Sequence, residues 1–142
     1  MKFEYCKLRL LKEKEVEYCI NSPEKVLEIA VELLHLHEEP EEVFCTVCLD
    51  SKLKTVSIFE VSRGSLNTSI VHPREVFKRV LLSNANSIIF LHNHPSGDPT
   101  PSTEDINITR TLVEAGNILG IKVLDHVIIG DSVYSLKQKG IL

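Results

Sequence analysis

The longest apolar run of the chain, Ile88–Leu91, is four residues long and leads directly into His92-Asn-His94. A short apolar run that is bounded by polar residues is typical of a strand covered on both faces. Such a strand, which we expect to begin at Ser87, needs helices on both sides of its sheet and therefore favours a layered α/β arrangement. The run is also far shorter than the roughly 20 apolar residues of a membrane-spanning helix.

Helices and strands are predicted to alternate around this segment. Ser22-Pro23, His72-Pro73 and Ser102 are typical of helix starts, and runs of β-branched and apolar residues between them indicate strands. The predicted elements are a helix from Pro23 that Pro40 ends, a hairpin of strands over residues 42–50 and 54–62, a helix from Pro73, a strand over Ser87–Leu91, a helix from Ser102 to a left-handed cap near Gly120, and strands over residues 121–130 and 133–136. This order predicts an α/β (α+β) fold with a mixed central β-sheet flanked by helices.

Helical spacing of apolar residues indicates the buried faces of the first two helices. These residues are Val26, Leu27, Ala30, Leu33 and Leu34 in the first helix, and Val76, Phe77, Val80 and Leu81 in the second. The length of 142 residues is enough for one well-buried core and too little for two. We therefore expect one domain over residues 21–142, preceded by an N-terminal extension or edge strand over residues 1–20.

Charge and cysteine content narrow the class of protein. A net charge of −4 argues against a surface that binds duplex DNA, which needs many cations. The first residues lack the apolar core of a signal peptide, so we expect a cytoplasmic protein with reduced cysteines and no membrane association. Cys45 and Cys48 form a CxxC pair, but a strand would point them to opposite faces, which favours packing over a metal or redox site.

The residues whose side chains could bind a metal or take part in catalysis lie mainly between His92 and Asp105. His92 and His94 lie two residues apart at the end of a predicted strand, so both imidazoles leave the same face. A loop containing three prolines and one glycine follows, and these residues exclude regular structure. Ser102 then stands as the N-cap of a helix, with Asp105 at the third position of its first turn, a spacing that resembles a capping box.

Two imidazoles and one carboxylate form a ligand set that suits a catalytic zinc ion. The same set can hold ferrous iron in an oxygenase. The helical HExxH pattern of other zinc proteases is absent from the sequence. The simpler interpretation is that His92 and His94 are solvent-facing loop residues and that Asp105 only caps the helix. Spacing and chemistry favour the metal site without excluding this alternative.

These residues also fit a longer motif, H-x-H-P-x-G-x-x-x-P-S-x-x-D, read at His92, His94, Pro95, Gly97, Pro101, Ser102 and Asp105. The motif resembles that of the JAMM (MPN+) metalloproteases, in particular the bacterial RadC-like family, and the similarity extends over about residues 40–142. The resemblance implies a JAB/MPN (cytidine-deaminase-like) fold. It also implies that His92, His94 and Asp105 are ligands of Zn2+.

The resemblance further implies roles for residues around the metal. In that family a glutamate just before the strand of the first half is the general base, which corresponds to Glu42, with Glu41 and Glu39 as neighbouring candidates. Ser102 matches the serine that stabilises an oxyanion, a role that its place at a helix N-terminus also favours; it can equally serve as a helix cap. His126 is open to two interpretations, a residue that orients a ligand or a packed core histidine.

The function that the resemblance implies is zinc-dependent hydrolysis of a peptide or isopeptide bond in an unknown protein or peptide substrate. The alternative is a DNA-repair-associated accessory protein without protease activity, as the history of the RadC name suggests. Longer members carry a helix-hairpin-helix segment before the domain, and the first 40 residues here show no such glycine-containing hairpin. A third alternative is a structural zinc site, although such sites usually have four protein ligands. The sequence leaves a homo-oligomer open.

Overall fold

The structure, a computed structural model, describes residue 2 and residues 18–65 and 71–142. Its helices and strands, in chain order, are α1 (Pro23–Glu28), which continues as a π-helical turn (Ile29–Leu33) and a 3-10 turn (Leu36–Glu38), β1 (Val43–Leu49), β2 (Thr55–Arg63), α2 (Pro73–Leu82), β3 (Ser87–Asn93), α3 (Thr103–Leu119), β4 (Lys122–Ile129) and β5 (Val133–Ser135). Most of the predicted N-terminal extension, including Cys6, lies outside the described residues. Its last residues, 18–20, pair with the start of β2.

The five strands form one mixed sheet in the order β2-β1-β3-β4-β5. Strands β3 and β4 are parallel, and the other neighbouring pairs are antiparallel. Strand β3 is central, and all of its residues are buried. The prediction of a mixed α/β fold whose central strand is covered on both faces is therefore confirmed.

Two apolar layers cover the sheet. One layer joins α1 to the face of β1 that carries Cys45, and the other joins α2 and α3 to the face that carries Cys48. The two cysteines of the CxxC pair are therefore on opposite faces, as the strand alternation predicts. The layer under α2 and α3 lies on the same face of the sheet as the His92 side chain, because it includes Phe44, the direct neighbour of His92 in the β1–β3 register.

Three details of the sequence prediction are wrong. The first helix does not extend to Pro40: it loosens into a π-helical turn after Glu28, and His35 adopts a left-handed conformation with φ of 50°. A non-glycine residue in that conformation cannot continue a right-handed helix. Ser22 occupies the N-cap position of α1, but its side chain makes no capping hydrogen bond. Leu81 is 49% exposed rather than buried, because it lies about 100° around α2 from Val80 and off the stripe that faces the sheet.

The ends of α2 and α3 agree with the sequence signals. The His72 side chain accepts a hydrogen bond from the Arg74 amide at the start of α2. Helix α3 begins with a complete capping box between Ser102 and Asp105 and ends at Gly120, whose φ is 73°. None of the helices in the described ranges is long and apolar enough to cross a membrane.

Candidate metal centre

Strand β3 and helix α3 bring the two histidines and the aspartate together. His92 lies near the C-terminal end of β3, where it pairs with Ile128 of β4. The His94 amide continues this pairing by donating a hydrogen bond to the Ile129 carbonyl of β4 at 2.8 Å. Asp105 is placed by the capping box, in which the Ser102 amide donates to its Oδ2 at 2.7 Å. The helix cap therefore holds one oxygen of the Asp105 carboxylate, and this carboxylate faces the end of β3.

The loop between His94 and Ser102 is fastened to the turn between β4 and β5. Gly97 has a φ of 89°, and its carbonyl accepts a hydrogen bond from the Asp131 amide at 2.7 Å. A Cβ atom at Gly130 would lie 2.3 Å from the same carbonyl oxygen, so only glycine permits this approach of two backbones. The loop that separates the candidate ligands is thus held at its middle as well as at its ends.

The candidate ligand atoms converge on one point. The Nε2 atoms of His92 and His94 are 2.8 Å apart, and the Asp105 carboxylate oxygens lie 3.5 Å and 3.3 Å from them. All three ligand atoms lie within 4.8 Å of one another. Two donors with bonds of about 2.0–2.1 Å to a tetrahedral ion are separated by about 3.3 Å. The three side chains can therefore bind one metal ion after a small separation of the two rings.

A hydrogen bond on the far side of the His94 ring determines which nitrogen faces this point. Its Nδ1 lies 2.7 Å from the backbone carbonyl oxygen of Asp98. A carbonyl oxygen can only accept, so Nδ1 carries a proton and Nε2 is the ring nitrogen that faces the candidate metal position. A metal-binding histidine usually shows this second hydrogen bond.

Burial and charge set the ionisation of the three groups. Burial lowers the pKa of His92 to about 4, against the opposing charge of Asp105. Burial alone would raise the pKa of Asp105, but hydrogen bonds from His94 and Ser102 and the nearby His92 ring hold that pKa below its usual value. The hydrogen bond to Asp105 raises the pKa of His94. At neutral pH the site therefore holds a neutral His92 and an ionised Asp105, the forms in which both residues bind metals.

Glu42 lies beside this group, outside the set of converging ligand atoms. It is half-buried directly before β1, and its carbonyl accepts a hydrogen bond from the Gly64 amide at 2.8 Å. Its charge adds to the effect of Asp105 in raising the pKa of His94, so the two side chains are within electrostatic range. The neighbouring candidates differ: Glu39 forms an ion pair with Arg63, and Glu41 is exposed.

Asn93 is a residue of the site that the sequence interpretation missed. It lies between the two histidines and is 2% exposed. Its Oδ1 accepts a hydrogen bond from the Val43 amide at 2.7 Å, and its Nδ2 donates to the Glu41 carbonyl at 2.9 Å. Asn93 thus fixes the backbone on both sides of Glu42. A polar residue that alternates with two functional histidines in a buried strand is the signal that could have identified it.

Comparison with known proteins identifies the family. Residues 20–141 match the RadC-like JAB domain. The chain belongs to this family. Three relatives with the name UPF0758 protein illustrate the similarity: one from Caldanaerobacter subterraneus subsp. tengcongensis is 57% identical over 124 residues, one from Methanosarcina barkeri is 56% identical over 106 residues, and one from Clostridium beijerinckii is 47% identical over 137 residues.

The alignments cover most of this chain and only part of each relative. They include 87%, 74% and 96% of this chain, and 52%, 46% and 59% of the respective relatives. The chain therefore spans about half the length of the curated relatives that it matches. The five-stranded mixed sheet with flanking helices is consistent with the JAB fold.

Behind the candidate ligands of this JAB domain lies a second polar layer. His126 of β4 is fully buried, and its Nε2 is 2.7 Å from Nδ1 of His92. Its other ring nitrogen is 2.6 Å from the hydroxyl of Thr109, a residue of α3. Both interpretations of His126 from sequence therefore agree with the structure: it is packed in the core, and it contacts a candidate ligand. Thr109 was missed, although its position four residues after Asp105 places both on one face of α3.

Proposed function

We propose that this JAB domain is a zinc-dependent amide hydrolase that acts on a peptide or isopeptide bond of a protein or peptide substrate. The observation that carries the proposal is the convergence of the His92 and His94 Nε2 atoms with the Asp105 carboxylate at the N-terminus of α3. Among the described residues, this is the one group of three or more potential ligands from histidine, cysteine and acidic residues. Three protein ligands are typical of catalytic zinc sites, whereas structural sites usually have four.

The ligand types support zinc as the metal. Imidazole nitrogens and one carboxylate are common zinc ligands, and ferrous iron is the main competitor for this set. Bound zinc would supply a Lewis acid that polarises the substrate carbonyl and lowers the pKa of water to about 7. The two buried cysteines do not contribute, since they lie within the apolar layers of the sheet.

The protein's own residues would position the substrate and move the proton. We assign Glu42 as the general base, which accepts the proton of the attacking water and returns it to the departing amine nitrogen. The half-buried position of Glu42 beside His94 supports this assignment. The Ser102 hydroxyl accepts the Asp105 amide through an oxygen lone pair, so its proton can still be donated to a developing oxyanion. Ser102 is exposed, so a bound substrate could contact its hydroxyl.

Metal analysis of the purified protein tests the site. We expect the wild-type protein to contain about one zinc ion per chain, as three convergent ligands predict, and the His94→Ala variant to lose it. His37→Ala is the matched control, because His37 is exposed and distant in sequence from the site. Equal zinc content in the wild type and in His94→Ala would contradict the ligand assignment.

Hydrolysis of a library of peptides and lysine-linked isopeptides tests the activity. We expect cleavage by the zinc-loaded protein, and loss of cleavage in Glu42→Gln with the zinc content retained. Glu41→Gln is the control, because Glu41 is an exposed neighbour. Loss in Glu41→Gln instead of Glu42→Gln would move the general base to Glu41. Absence of cleavage by the zinc-loaded wild type across the library would contradict the hydrolase proposal.

A further inference from the structure

A continuous chain of hydrogen bonds runs behind the metal centre from helix α3 to strand β3. It begins at the Asp105 carbonyl and passes through Thr109 and His126 to His92. The three side chains are 0–1% exposed, and the aromatic rings of Phe44 and Phe90 pack against the edge of His126. Burial of polar groups to this degree is costly unless they are hydrogen-bonded, and these groups bond to one another.

The direction of every hydrogen bond in this chain follows from its first member. The Thr109 Oγ1 lies 2.6 Å from the Asp105 carbonyl oxygen. Two oxygens so close together repel unless a proton lies between them, and a carbonyl has no proton to give. The hydroxyl of Thr109 therefore donates to the Asp105 carbonyl, and this bond uses its single proton.

The directions of the other two hydrogen bonds follow from this one. Because the Thr109 proton is used, Oγ1 can only accept from His126, whose Nδ1 lies 2.6 Å away and so must carry the ring proton. A neutral imidazole has one N–H, so Nε2 of His126 accepts from Nδ1 of His92 across 2.7 Å. His92 is left with an unprotonated Nε2, the nitrogen that faces His94 and Asp105.

We propose that Thr109 and His126 are positioning residues that lock His92 in the tautomer whose Nε2 lone pair faces the metal. The inference rests on the proposed metal site, but the tautomer itself is a property of the metal-free protein. The series of hydrogen bonds starts at the backbone carbonyl of Asp105. Asp105 therefore contributes its carboxylate to the site and also determines the hydrogen bonding of His92, a second candidate ligand. His94 is oriented by a separate route, through the hydrogen bond that its Nδ1 donates to the Asp98 carbonyl.

The Thr109→Val variant tests this series of hydrogen bonds, with Thr109→Ser as its matched control. Valine has nearly the shape of threonine but cannot accept the His126 proton, whereas serine keeps the hydroxyl. In the metal-free protein, 15N-edited NMR of the histidine rings should show Nδ1–H for His92 and His126 in the wild type and in Thr109→Ser. In Thr109→Val we expect the ring proton of His126 to move to Nε2. Two N–H groups, Nε2–H of His126 and Nδ1–H of His92, would then face each other.

Zinc affinity provides the second readout, measured by competition with a chromophoric chelator. Removal of a residue that orients a ligand typically weakens metal binding about 10- to 100-fold. We expect a loss of this size in Thr109→Val and wild-type affinity in Thr109→Ser. Thermal unfolding of both metal-free variants, which should be similar, separates this effect from a general loss of stability.

The outcomes distinguish this proposal from the hydrolase proposal. A wild-type NMR spectrum with the proton of His92 on Nε2 would overturn the tautomer lock whether or not Thr109→Val folds. Unchanged zinc affinity in a folded Thr109→Val variant would also overturn it. Absence of hydrolysis by a protein that shows the expected tautomers and affinities would contradict only the proposed activity.

Discussion

The side-chain oxygen of Asn93 accepts a hydrogen bond from the backbone amide of Val43 at 2.7 Å, across the junction of β3 and β1. The same side chain donates to the Glu41 carbonyl. Glu42 lies between these two contacts, so one buried residue of the ligand-bearing strand positions the backbone of the proposed general base. The distance between Glu42 and the metal centre is therefore set by β3 itself.

Replacement of Asn93 should separate metal binding from activity. Asn93→Ala leaves the Val43 amide and the Glu41 carbonyl without these partners, at a cost of about 1–3 kcal/mol for a buried unsatisfied group. We expect turnover to fall more steeply than zinc affinity, because the segment that carries Glu42 is released. Kinetics with zinc titration checks this, and Asn117→Ala on the exposed face of α3 is the control. A proportional loss of zinc and turnover would argue against a role through Glu42.

Steric replacement of Gly130 should disturb the loop that leads to Ser102. In Gly130→Ala the new Cβ meets the Gly97 carbonyl oxygen at 2.3 Å, and overpacking of this kind costs about 1–3 kcal/mol. We expect lower stability together with weaker zinc binding. Gly140→Ala is the control: its φ of 70° imposes backbone strain, but its Cβ meets nothing within 4 Å. Chemical denaturation and zinc titration distinguish the two, and normal zinc affinity in Gly130→Ala would contradict the prediction.

Acid should destabilise the metal-free protein. Burial lowers the pKa of His92 to about 4 and holds that of His126 well below its usual value. Both groups therefore contribute stability that is present above pH 6.5, the ordinary histidine pKa, and is lost as the pH falls. A shift from 6.5 to about 4 corresponds to about 3 kcal/mol for His92. The raised pKa of His94, whose hydrogen bond to Asp105 favours the charged ring, offsets part of this loss.

Urea denaturation in the presence of a chelator measures this dependence. We expect the free energy of unfolding to decrease between pH 6.5 and about 4. The slope should be shallower in His126→Gln and unchanged in His37→Gln, since His37 is exposed. A flat profile in the metal-free wild type would show that the buried histidines do not control acid stability.

Thiol reactivity should follow the burial of each cysteine side chain. Cys45 and Cys48 are buried, and burial raises the pKa of the Cys45 thiol to about 12 and also raises that of Cys48. Cys19 is exposed. In a Cys6→Ser background we expect an alkylating reagent at about pH 8 to label Cys19 alone, because the thiolate is the reactive form. Mass spectrometry of native and denatured samples checks this, and rapid labelling of native Cys45 would contradict it.

Sequence patterns predicted the strand and the helix start that carry the candidate ligands, because these patterns depend on residues close together in the sequence. Alternation along β3 placed His92 and His94 on one face, and the Ser102–Asp105 spacing predicted a capping box that the structure contains. The C-terminal end of α1 and the exposure of Leu81 were predicted wrongly, because the first helix ends before a left-handed His35 and Leu81 lies off the stripe facing the sheet. Helical periodicity alone does not contain that information.

The supporting residues were harder to predict because their partners are distant in sequence. Asn93 contacts residues about 50 positions earlier, and Thr109 reaches His126 across the layer between α3 and β4. These contacts depend on the strand order β1-β3-β4, which element propensities do not determine. The order of helix and strand signals correctly predicted a mixed α/β fold, but it carried no signal for this second polar layer.

The close approach of Gly97 and Gly130 has a consequence for how an ion would be taken up. Because the connecting loop is already fastened to the β4–β5 turn, little conformational entropy remains to be lost when the three ligands close around a cation. Most of the intrinsic binding energy is then retained as affinity. The domain should accordingly hold its tertiary structure through repeated cycles of chelation and reloading, in contrast to small zinc fingers, which unfold without their ion.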